Sequence, residues 1–277
     1  MRVLSTVDAY LALADLGAQA DEHAWRARYE AAYPDVFATY YREWGAPGRR
    51  GAATAALAGL APLMRERERR ALDMLERVSR DFAGRGLLPG KDMPVVLMVG
   101  VGSSNGWVTP FRREPTLFLA LEFLGQPPGD EILINHETVH LAHQLAAPQW
   151  AQQADSSVAG ALFFEGLATA MSRVLCPGHS DSQYCWFDDE HADWADECAK
   201  AAGPAAAKMI DELDVSRPEV VRHWFAGGPG SSVPTRWGYW CGDRLAAGLL
   251  DQHDPADVLR LDYPTARQLA AEHLRGY

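Results

Sequence analysis

No stretch of the sequence approaches the ~20 apolar residues that a membrane-crossing helix requires, so no membrane partner is expected. Positive charge is also in short supply. The chain carries 26 Lys and Arg against 37 Asp and Glu, a formal net charge of −11. Such a chain repels phosphate backbones and anionic lipid, which argues against nucleic acid as a partner. The N-terminal stretch up to Glu30 includes Asp8 and Asp15 and lacks the uninterrupted apolar segment of a signal peptide, so a cytoplasmic protein is expected. Internal repeats, low-complexity tracts and long linkers are all absent.

Cysteine is scarce as well, with four residues, Cys176, Cys185, Cys198 and Cys241. In a cytosolic protein these are expected to be plain buried thiols, and in an exported one a disulfide between two of them is an open alternative. Cys176 and His179 with Cys185 and His191 offer a second metal set, but their spacing matches no zinc pattern well.

What is present is an ordinary globular composition, 48% apolar and 23% charged over 277 residues, ample for a substantial core. The pattern predicts helices over the first ~90 residues, with Ser5 and Gly17 bracketing the first and Pro34 interrupting the second. The alternating charges of "RERERR", with Glu66 and Arg70 four apart, read as a solvated, ion-paired helix face. Residues 93–123 then change to short β-branched runs, "MPVVLMVGVG", "WVTP" and "PTLFLALEFLG", a small sheet of about three strands. Asp130 is a candidate cap for a helix over 131–146, and Ser156 or Ser157 for a second, "VAGALFFEGLATAMSRVL". An irregular segment and short helices at about 205–214, 217–225, 235–250 and 263–274 complete the chain. The layout predicts one mostly helical α+β domain over 1–277: a helical part to 90, a sheet and site-bearing core over 91–250, and a C-terminal helix in 251–277.

The chemistry is concentrated in "INHETVHLAH". His136 and His140 are four apart, so on a helix they share one face and can share one ion. Glu137 stands beside them, placed to take a proton from a water that the ion activates. Ile132, Leu133, Ile134, Val139, Leu141, Ala142 and Leu145 make this a buried helix, whose polar side chains need partners. Two imidazoles do not complete the tetrahedral shell of zinc. Glu165, the only acid of "FFEGLATAM", is the expected third ligand, reached by a loop and an antiparallel return helix across the 24 intervening residues. His143, one turn beyond His140, is assigned a structural or supporting role, and Thr169 a hydrogen bond to the Glu165 ligand.

His-Glu-x-x-His followed by Glu-Gly-x-Ala resembles the gluzincin metallopeptidases. With "GYWCGDRLA" added, the chain is similar over roughly residues 90–250 to a poorly characterised bacterial family of predicted zinc-dependent proteases. The resemblance implies a thermolysin-like core with its sheet packed on the motif helix. It implies one Zn2+ per chain on His136, His140 and Glu165, with Glu137 as general base and acid. It also implies an extended peptide or protein substrate lying along "TLFLALEFL" as the edge strand. Related enzymes supply an oxyanion donor from the C-terminal part. Tyr239 is the first candidate and His223 the second, against their readings as a packed aromatic and a surface histidine. The chain departs from the zinc aminopeptidases in lacking their amine-binding strand motif. Glu122 is the nearest acid and lies closer to the histidines than theirs does. Besides a peptidase, the residues allow a zinc hydrolase of a non-peptide amide, or a non-catalytic zinc-binding regulatory protein with a vestigial site.

Overall fold

Four apolar runs become strands because they pair with one another across long stretches of chain. A computed structural model describes residues 1–88, 92–125, 127–152, 157–227 and 233–277. These are mostly helical, with one four-stranded sheet. The sequence reading takes the chain as one domain; by its contacts it divides into two compact units.

The first unit comprises Met1–Ala83 and Gly90–Gln126. It contains β1 (Arg2–Ser5), α1 (Val7–Ala14), the single turn α2 (Glu22–Ala24), α3 (Pro34–Glu43), most of α4 (Arg50–Gly84), and β2 (Pro94–Met98), β3 (Gly106–Phe111) and β4 (Glu114–Ala120). The strand order is β1-β2-β4-β3. β1 and β4 run parallel to β2, with Arg2 opposite Pro94 and Val96 opposite Phe118, and β3 runs antiparallel to β4. Arg112 and Arg113, at φ 51° and 71°, form the two-residue turn between β3 and β4. The expected sheet of about three strands therefore gains β1. Ser5 ends that strand and does not cap α1, whose N-cap is Thr6. A strand this short is specified by pairing with β2, about ninety residues on, and no local signal announces it.

β4 also differs from its expected place. Both of its sides are paired, by β2 and β3, so no hydrogen-bonding edge is left on which an extended peptide could lie. Glu122, beyond its end, has structural work instead. Its carboxylate accepts the backbone N–H of Gly100 at 2.8 Å and of Gly102 at 3.1 Å. The Tyr29 hydroxyl accepts from Val99 N–H and the Tyr40 hydroxyl from Val101 N–H, so three side chains fix the loop after β2. On α4, Arg69 pairs with Glu66 and Asp73, and Arg65 with Asp8 and Glu68, the ion-paired face expected of "RERERR".

The second unit comprises Gly84–Pro89 and Pro127–Tyr277. Its helices are α5 (Gly129–Ala146), α6 (Val158–Leu175), α7 (Asp181–Trp186), α8 (Trp194–Lys200), α9 (Ala202–Glu212), α10 (Pro218–Phe225), α11 (Trp237–Leu250), α12 (Pro255–Val258) and α13 (Tyr263–Leu274). α5 is capped by Pro128 without a side-chain bond, and Asp130 sits inside its first turn. Ser157 caps α6, accepting Gly160 N–H at 3.0 Å; Ser156 lies outside the described residues. Val158 and Ala159 give their N–H groups to the carbonyls of Val215 and Leu213 in the α9–α10 connection. The segment expected to be irregular holds α7 and α8, and α7 opens with a capping box between Ser180 and Gln183.

α6 is long and apolar enough to cross a membrane by length and composition, against the reading that no segment comes near this. However, 78% of that window is buried inside the fold, as befits a core helix. Every residue of α5 from Ile132 to Gln144 is buried too. An apolar all-round helix is what a unit needs at its centre, and here two of them lie side by side.

Candidate metal centre

The pairing of α5 with α6 follows from which side chains meet. His143 packs on Phe163, His140 stacks on Phe164 with ring centroids 3.9 Å apart, and His136 meets Glu165. Rising numbers on one helix meet falling numbers on the other, which is the antiparallel return expected from the sequence. The four-residue spacing then puts His136 and His140 one turn apart on the face toward α6.

Three donor atoms converge there. His136 Nε2 is 3.1 Å from His140 Nε2 and 3.2 Å from Glu165 Oε2, and His140 Nε2 is 3.6 Å from Glu165 Oε2. Ligands held ~2.0–2.1 Å from one ion at tetrahedral angles stand roughly 3.3 Å apart, so these three fit a single divalent cation. They are the one group of metal-ligating side chains found together among the described residues. Two imidazoles aiming ring nitrogens at each other share one proton at best, which a cation between them would relieve. The Nδ1 atom of His136 is buried with no hydrogen-bond partner among the described residues. Nitrogen and carboxylate donors suit zinc and several other divalent ions.

Electrostatics favour the same reading. Burial alone would push the Glu165 carboxyl up, but the charge of His140 and hydrogen bonds from both histidines outweigh it and hold the group well below the usual carboxylate range. Burial pushes the His136 imidazole down, with the Glu165 hydrogen bond opposing and His140 and Arg236 adding to the shift. A neutral imidazole beside an ionised carboxylate is the state in which both can bind metal. Glu137 is different. Burial pushes its carboxyl up to about 7, with His140 pulling it down and Glu165 raising it. It makes no hydrogen bond or ion pair among the described residues, so it is free to exchange a proton.

α11 brings Tyr239 to this group. Its ring lies 6.5 Å from that of His136, and its hydroxyl is raised above its ordinary range by burial first and then by the nearby Glu165 carboxylate. The approach depends on glycine. A Cβ on Gly166 would lie 2.2 Å from the carbonyl carbon of Gly242, and one on Gly242 would lie 2.3 Å from the carbonyl oxygen of Leu162. Arg173 of α6 then fixes the pair of helices by a double hydrogen bond from its Nε to the buried Asp243 of α11.

The other expected residues fall elsewhere. His223 on α10 faces Lys208, with Nε2 and Nζ 3.3 Å apart, and among the described residues none of its contacts joins it to His136, His140 or Glu165. α10 reaches α11 through Phe225, which packs edge-on to Tyr239, and His223 stands two residues back on a more open face. Thr169 donates to the Glu165 backbone carbonyl at 2.9 Å and leaves the carboxylate alone, the ordinary bond of a hydroxyl four residues along a helix. His143 is fully buried among Trp150, Phe163 and Phe164, outside the ligand group. All four cysteines are free and buried. Cys176 Sγ faces His179 Nε2 at 3.4 Å, whereas His191 bonds Asp188 and stacks on Trp186, so the second metal set is not assembled.

Sequence reasoning missed Phe164, whose stacking orients His140, and two residues of positive φ beside the site, Phe187 (64°) and Arg236 (62°). The Phe187 ring is 5.8 Å from that of His136. Arg236 lies over Tyr239, its Cζ 4.2 Å from the ring centroid. Only the proximity of Arg236 to the "GYWCGDRLA" segment pointed their way.

Compared with protein-family models, with curated proteins and with solved structures, the chain finds no match in any of the three.

Proposed function

We propose that this chain is a zinc-dependent peptidase with a thermolysin-like, gluzincin-type core, hydrolysing peptide bonds with an activated water. The observation that carries the reading is the fit of His136, His140 and Glu165 to one cation, with the carboxylate of Glu137, which has no hydrogen bond or ion pair among the described residues, at their side. A purely structural zinc site has no use for such a base and usually closes its fourth position with protein. When bound, the ion supplies a Lewis acid that polarises a carbonyl and makes water acidic enough to be deprotonated near neutral pH.

The protein groups do the rest. The Glu137 carboxyl, poised near neutrality, takes the proton of the attacking water and returns it to the departing amine nitrogen. Tyr239, held as the neutral phenol, donates its hydroxyl to the oxygen that gains charge as water adds to the carbonyl. Phe164, stacked on His140, and the antiparallel α5–α6 contact hold the two imidazoles with their ring nitrogens facing each other.

The test is elemental analysis of the purified protein beside His140→Ala. About one zinc per chain, lost in the variant, supports the reading and justifies a peptide-library screen against a Glu137→Gln control. No metal in either protein after incubation with zinc removes it.

A further inference from the structure

Arg236 sits at the entrance to α11 in the left-handed region, a conformation that residues with a Cβ hold only where their surroundings impose it. Its guanidinium lies over three rings, with Cζ 4.2 Å from the centroid of Tyr239, 5.0 Å from Trp186 and 6.0 Å from Phe187. Among the described residues it makes no hydrogen bond and no ion pair, and its Nε is buried without a partner. A guanidinium keeps its charge and carries five donors, so an arginine drawn out of water ordinarily faces an acid. Its neighbours obey that rule: Arg173 pairs with Asp243 and Asp181, and Arg244 lies against Asp181.

The position makes the missing partner informative. Tyr239 touches Arg236 on one side and His136 on the other, and Phe187 lies near both. A fixed positive charge here weakens any cation held by His136, His140 and Glu165. A group that gains from both is an anion on the substrate, placed between the guanidinium and the reacting carbonyl. The flat, forked face of a guanidinium matches a carboxylate by two parallel hydrogen bonds. The half-buried rings of Trp186, Phe187 and Tyr239 would exclude water around that pair.

We propose that Arg236 is the binding group for a carboxylate of the substrate, close to the bond that is cut; this rests on the hydrolase reading above. The carboxylate is either the free C-terminus of a short peptide or an Asp or Glu side chain.

Three probes separate these sources: acetyl-Ala-Phe-Ala with a free C-terminal carboxylate, its C-terminal amide, and acetyl-Ala-Phe-Asp amide. Their dissociation constants are measured by calorimetry on Glu137→Gln, which prevents turnover, and on the same protein carrying Arg236→Gln or Arg236→Lys. Zinc content is determined on every sample. The free acid, the aspartyl amide or both should bind at least about tenfold tighter than the plain amide. The difference should vanish in Arg236→Gln and survive in part in Arg236→Lys. Equal binding of all three peptides, no binding of any, or discrimination that persists in Arg236→Gln overturns the proposal. Should Arg236→Gln fail to fold, acid against amide on the parent protein decides. Zinc without discrimination sinks the role of Arg236 alone, whereas discrimination without zinc sinks the hydrolase reading and leaves a carboxylate-binding site.

Discussion

Gly166 of α6 and Gly242 of α11 are in backbone contact, so close that either Cβ would fall inside the other helix's main chain. This contact sets how near Tyr239 can come to Glu165, because each functional residue sits within a turn of its glycine. Gly166→Ala and Gly242→Ala should each force the helices apart. Overpacking of this kind costs about 1–3 kcal/mol or more, and at this chain length each kcal/mol lowers Tm by roughly 2–4 °C. Calorimetric melts would show it. Melting temperatures equal to the parent's would mean the helices do not depend on this contact.

Glu137→Gln should keep the ion and lose the reaction. General acid–base catalysis is worth about 10²–10⁴ in rate, so hydrolysis should fall by that order while metal content stays near one per chain. His136→Ala and Glu165→Ala should do the reverse of the first part and release the metal. Zinc retained by Glu165→Ala as tightly as by the parent would remove Glu165 from the ligand set.

Tyr239→Phe deletes one hydroxyl beside Glu165. If that hydroxyl stabilises the oxyanion, kcat should fall by on the order of 10², with zinc content unchanged. A wild-type rate would leave Tyr239 as a packed aromatic ring. His223→Ala, beside Lys208, should change kcat little.

His143 supplies a pH dependence that needs no metal. Burial pushes its imidazole down to about 3 from an ordinary 6.5. Below pH 6.5 the unfolded chain therefore takes up a proton that the folded chain refuses. The stability of the neutral, folded histidine is fully present above that pH and is lost as pH falls toward 3, by up to about 1.4 kcal/mol per unit. Between pH 7 and pH 5 this amounts to about 2 kcal/mol. Urea melts of metal-free protein at the two pH values should differ by that much less in His143→Phe than in the parent. Equal acid sensitivity in the two proteins would refute the assignment.

The candidate metal set was legible because its signal is local: His136 and His140 need only helical spacing, and Glu165 only the improbability of a lone acid on an apolar helix. Helices α5 and α6 were legible for the same reason. β1 was not, since pairing with β2 is decided across the chain. The interior position of β4 was hidden likewise, because an apolar run reads alike at an edge and in the middle of a sheet. His223 and Tyr239 could not be ranked by geometry from sequence, as that depends on how α10 and α11 turn. Arg236 gave no sign beyond its place just ahead of "GYWCGDRLA", for an arginine ahead of a helix is unremarked until its partners prove to be rings.

The burial of Cys176, Cys185, Cys198 and Cys241 pushes every one of these thiols above its ordinary range. Folded molecules thus offer an alkylating reagent little to attack, and opened molecules offer it four thiolate-forming groups. Iodoacetamide labelling becomes a count of openings, read by mass, for every variant named above. The same feature leaves four thiols open to oxidation whenever the chain is held unfolded, and it calls for reductant in every melt.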